Sequence, residues 1–126
     1  MPARLDHTIV HSRDRFASAR FLTELLGAPD PKPFGPFASV PLENGVTLDY
    51  MDDSGRIVPQ HLAFLVTDAE FDEIFARIQE RAVPYWADPY SSKPQQINHE
   101  HKGRGFYFRD PDNHSLEVLT HTYVTD

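Results

Sequence analysis

The chain has 126 residues, of which 40% are hydrophobic and 25% charged, and its formal net charge is −7. That length supports one globular domain, and the acidic balance argues against nucleic acid or an anionic membrane as the main partner. No apolar run approaches a membrane span, the start of the chain lacks a signal-peptide core, and the absence of cysteine excludes disulfides, thiolate metal sites and cysteine nucleophiles, which fits a cytoplasmic protein.

In chain order, residues 5–11 read as a β-branched strand with His7 on the same face as Leu5 and Ile9. Ser12 is the expected N-cap of a helix running to about Leu26, where Gly27 stops it. Residues 28–36 hold four prolines and are expected to form an extended connector without an element of their own. Residues 37–42 and 46–51 are expected to pair as a hairpin around Glu43-Asn44-Gly45. The stretch Asp52-Asp53-Ser54-Gly55 marks a boundary between two halves.

The second half repeats the plan. Residues 60–66 form a strand that alternates Leu62, Phe64 and Val66 with His61, Ala63 and Leu65. Thr67-Asp68-Ala69-Glu70 is a capping-box signature for a helix to about Arg81, with Phe71, Ile74, Phe75 and Ile78 on one stripe. A short strand is expected over 83–86. The polar segment 88–103 is a long loop, functional or mobile. Residues 104–119 read as two strands joined by the turn Asp110-Pro111-Asp112-Asn113.

The order is therefore β-α-β-β-β twice, module one over about 3–53 and module two over about 57–122. Asp49 follows His7, and Glu117 follows His61, by intervals that differ by about the length of segment 88–103. This spacing fits duplication with one insertion. The fold class is α+β, two tandem modules forming a curved mixed sheet.

Strand parity places His61, Tyr107 and Glu117 on the face opposite the core, and His7 and Asp49 on the corresponding face of the first half. Glu117 sits within an apolar strand, where a carboxylate is costly to bury without a partner. Two imidazoles and one carboxylate form a common divalent-metal ligand set with open positions for substrate. The ion expected is Fe, Mn, Ni, Co or Zn. His11, His114 and His121 are expected at the surface or in turns, and the alternating His99 and His101, a pair able to bind a metal by itself, are expected instead to belong to a polar mobile loop that could serve as a substrate lid.

The residues Leu5-Asp6-His7, the run from Gln60 through His61 to Phe64, and the run from Phe106 through Tyr107 to Glu117 resemble the vicinal oxygen chelate superfamily. This is the glyoxalase, bleomycin-resistance and extradiol-dioxygenase group, and the resemblance covers almost the whole chain. It implies metal ligands at His7, His61 and Glu117, a substrate-facing hydroxyl at Tyr107, and an acid–base or fourth-ligand role at Asp49, where the glyoxalase pattern has Glu. It also implies a homodimer and a small oxygenated substrate chelated on the metal, as in lyases, dioxygenases or thiol transferases of the group. The contrasting expectation is a non-catalytic binder of the bleomycin-sequestering kind.

Overall fold

The computed structural model describes residues 2–123. It divides into two compact units, one up to Val58 and one from Pro59, and each is described by itself.

In the first unit, strand β1 (His7–Ser12) leads into helix α1 (Arg15–Leu26), followed by β2 (Lys32–Phe34), β3 (Phe37–Pro41) and β4 (Thr47–Asp52). The sheet order is β1-β4-β3-β2, with β1 parallel to β4 and the other pairs antiparallel. The core lies under α1, where Leu22 and Leu25 meet Val10, Val40, Leu48 and Tyr50 in full or nearly full burial. Each such aliphatic side chain contributes about 1.5–3 kcal/mol on leaving water.

Two expectations are corrected here. The N-cap of α1 is Asp14, whose carboxylate accepts the Ala17 N–H at 3.1 Å. Ser12 instead ends β1, is fully buried, and donates its hydroxyl to the Met51 carbonyl. The proline-rich connector also contains a strand. Pro33 tolerates its place in β2 because the strand lies at the sheet edge, paired on one side only with β3. Gly27 stops α1 as expected, at φ 74°.

In the second unit, β5 (His61–Leu65) precedes α2 (Asp68–Glu80), β6 (Tyr85–Trp86), β7 (Gly105–Arg109) and β8 (Ser115–Leu119). The order β5-β8-β7-β6 reproduces the first sheet, again with the first pair parallel and the rest antiparallel. The capping box at the start of α2 is complete: Thr67 accepts from Glu70 N, and Glu70 accepts from Thr67 N. The helix buries Phe71, Ile74 and Ile78. Phe106 anchors the core, its ring 5.5 Å from both Phe71 and Phe75 and 5.7 Å from Phe108.

The 88–103 segment is more ordered than a bare loop. Asp88 accepts from Ser92 and Lys93 N–H groups, and Asn98 exchanges two backbone bonds with Gly105. The hairpin turn after β7 has Asn113 at φ 68°, the left-handed conformation that asparagine tolerates. Among the described residues no helix is long and apolar enough to cross a membrane.

Candidate metal centre

The centre is built on the face of the second sheet opposite α2. Pairing register sets Ala63, Glu117, Tyr107 and Trp86 in one row across β5, β8, β7 and β6. His61 lies two residues before Ala63, on the same face. Glu117 is only 3% exposed, whereas the His61 side chain is 49% exposed.

Nδ1 of His61 lies 3.0 Å from the Ser115 carbonyl oxygen, and Nε2 lies 3.1 Å from Oε1 of Glu117. A carbonyl only accepts, so Nδ1 carries a proton and donates it. In neutral imidazole Nε2 then presents a lone pair. A lone pair facing a carboxylate oxygen at that separation needs a cation between or beside them, either a proton or a metal. Two donors each about 2.0–2.2 Å from one ion and near a right angle apart are separated by roughly 3 Å. The observed spacing fits a shared ion, and the Ser115 carbonyl supplies the outer hydrogen bond that fixes a metal-binding imidazole.

Tyr107 stacks on His61, with ring centroids 6.1 Å apart and planes at 26°. Burial raises its phenol pKa above the usual tyrosine value, and the neighbouring Glu117 charge and Tyr123 add to that shift. The hydroxyl therefore stays protonated, able to donate to an oxyanion.

His7 and Asp49 lie in the first unit. Nδ1 of His7 lies 2.7 Å from Oδ2 of Asp6, an arrangement that leaves Nε2 for a ligand. The Asp6 hydrogen bond and charge raise the His7 pKa, with a smaller contribution from Asp49. Asp49 is buried, and its Oδ1 accepts the Ser39 hydroxyl at 2.5 Å. Thus the structure brings His61, Glu117 and Tyr107 together in one unit and sets His7 near Asp6 and Asp49 in the other.

His114 lies in the connection between β7 and β8, as expected of a turn residue, but not at the surface. It is fully buried, with Nδ1 accepting the Gln60 N–H at 2.8 Å. Asp110, Asp112 and His114 do offer ligand atoms within 4.8 Å of one another. However, Asp110 Oδ1 already accepts the N–H groups of Asp112 and His114, and His114 Nδ1 is taken by Gln60. The Asp110 bonds close the turn on itself and the His114 bond ties it to Gln60, the residue before β5, which is a structural role. Burial raises the Asp110 pKa.

Sequence reasoning missed Asp6, Ser39 and Tyr123. Asp6 was readable as the residue beside His7. Tyr123 lies beyond the end of β8, where strand parity no longer assigns a face, yet its hydroxyl reaches Glu117 at 3.3 and 3.5 Å.

No family model matches the chain. Among solved structures, oxidase ChaP-H1 is 57% identical over 98% of this chain and 99% of its own, with a TM-score of 0.95. The chain belongs to the vicinal oxygen chelate superfamily. Another superfamily member, oxidase ChaP-H2, is 52% identical over 99% of this chain and 98% of its own, also with a TM-score of 0.95. The superfamily's metallothiol transferase FosB of Shouchella clausii (strain KSM-K16) is 37% identical over 62 residues, 49% of this chain. The matches to curated relatives span less than half of those proteins' length. The two-module α+β fold is that of the superfamily.

Proposed function

We propose that this chain is a metal-dependent oxidase acting on a small molecule that presents two adjacent oxygens. The observation that carries this reading is the 3.1 Å approach of His61 Nε2 to Glu117 Oε1, with Nδ1 committed to Ser115. The likeness to oxidase ChaP-H1 over nearly the whole length supports oxidation as the reaction class. His61 and Glu117 would hold a divalent ion. His7 is proposed as the third ligand, as the superfamily resemblance implies. When bound, the ion supplies Lewis-acid chemistry and open positions for the substrate oxygens.

The chain's own residues then have distinct tasks. Glu117 brings a negative charge into an apolar strand and so favours a cation there. The Ser115 carbonyl fixes the tautomer of His61. Tyr107, held protonated, donates to an oxygen that gains charge. Asp49, hydrogen-bonded by Ser39, is proposed as an acid–base group. A homodimer, carried by the superfamily resemblance, belongs to the same proposal.

The test is oxygen consumption by protein loaded with Fe2+ or Mn2+, using a panel of catechols, with α-keto hemithioacetals and with epoxides plus thiols as controls. Metal-dependent oxygen uptake that is lost in Glu117→Gln is the expected result. Thiol addition to an epoxide without oxygen uptake would replace it with the transferase reading, which the partial match to FosB favours. Tight binding of a compound with neither reaction, and with no metal, would favour sequestration.

A further inference from the structure

The segment after β8 returns to the carboxylate. Thr120 continues the β7–β8 pairing by one step: its N–H donates to the Arg104 carbonyl at 2.9 Å, and its Oγ1 accepts from Arg104 N at 2.9 Å. Gly103 passes so close that a Cβ there would lie 2.6 Å from Thr120 Oγ1 and 2.9 Å from His121 Cβ. His101 and Lys102 both adopt left-handed conformations, at φ 53° and 63°, which bends residues 100–103 back toward this segment. The His101 and Tyr123 rings meet with centroids 4.6 Å apart. The Tyr123 hydroxyl then falls 3.3 Å from Oε1 and 3.5 Å from Oε2 of Glu117.

We propose that Tyr123 is a positioning residue for Glu117: its phenol donates to the carboxylate and orients it toward a divalent cation, and His101 seats the phenol. The proposal rests on the reading that His61 and Glu117 share a cation. Ionised Glu117 can only accept, and Tyr123 is a donor that reaches both its oxygens. The hydroxyl is nearer Oε1, the oxygen that faces His61, and with that oxygen on the cation Oε2 stays within its reach at 3.5 Å. This is the outer-shell pattern in which loss of the partner weakens metal affinity by about 10–100-fold. The 88–103 segment thereby acquires a task, since its closing turn carries the ring on which Tyr123 packs.

The experiment is a Zn2+ titration, counting only the site that Glu117→Gln removes. Tyr123→Phe weakens that site by about tenfold or more and leaves the melting temperature of the metal-free protein unchanged. His101→Ala weakens it as well, and His101→Phe, which keeps the ring contact, restores it. Zn2+ induces a near-ultraviolet tyrosine difference band that persists in Tyr107→Phe and disappears in Tyr107→Phe/Tyr123→Phe. Zn2+ affinity in Tyr123→Phe within twofold of wild type, or a matching fall in metal-free stability, overturns the role of Tyr123 and leaves the His61–Glu117 cation standing. A wild-type protein with no Glu117-dependent site overturns both.

Discussion

Nε2 of His61 and Oε1 of Glu117 stand 3.1 Å apart, and the other nitrogen of the same ring is held by the Ser115 carbonyl. The pair is thus preset for a cation. Glu117→Gln keeps the shape and removes the charge. Divalent-metal affinity is expected to fall on the order of 100-fold or more, while the metal-free protein loses no more than about 1 kcal/mol, because the His61 partner is half-exposed. Metal at 100 times its Kd stabilises wild type by about 2.7 kcal/mol. Thermal melts with and without metal show that gain in wild type and its absence in the variant.

Tyr107 sets a pH limit. Its phenol pKa is raised above 10.0, first by burial and then by the Glu117 charge. The fold therefore favours the neutral phenol. That contribution is complete below pH 10.0, the unfolded value, and is lost as pH rises toward the higher folded value. Spectrophotometric titration of the folded protein should show phenol still protonated after the exposed tyrosines have ionised, and Tyr107→Phe should lower that protected fraction by one phenol. All phenols titrating together near the ordinary value would contradict the burial.

His114 is expected to be structural. His114→Ala removes the acceptor for Gln60 N–H and opens a cavity beneath the turn, at a cost of about 2–4 kcal/mol. Urea denaturation measures the loss, and metal stoichiometry stays as in wild type. Loss of the bound ion with little loss of stability would instead assign the ion to the Asp110-Asp112-His114 turn.

Gly103 marks the contact between the 88–103 segment and the strand end. Gly103→Ala forces its Cβ against Thr120 Oγ1 and should cost about 1–3 kcal/mol, measured by chemical denaturation. Amide hydrogen exchange is expected to rise at Arg104, whose N–H donates to that same oxygen.

Much of this was legible in the residues themselves. Alternation along β5, β7 and β8 assigned His61, Tyr107 and Glu117 to one face, because a strand's period of two leaves no choice once Phe64, Phe106 and Val118 are buried. The capping box at Thr67 was equally readable, since it depends on residues three apart. Ser12 misled because serine is as good an N-cap as aspartate, and only the strand pairing of Ser12 with Asp52 decides between them. His114 misled because its neighbours are turn formers, while the N–H it accepts belongs to Gln60, far away in sequence. Tyr123 was invisible because no periodicity extends past the end of a strand.

The most direct test is anomalous diffraction at the metal's absorption edge, from crystals of protein purified without chelators. A peak about 2.0–2.3 Å from both His61 Nε2 and a Glu117 oxygen is the predicted result. A peak at the Asp110-Asp112-His114 turn instead, or none with the metal supplied in excess, would contradict the account.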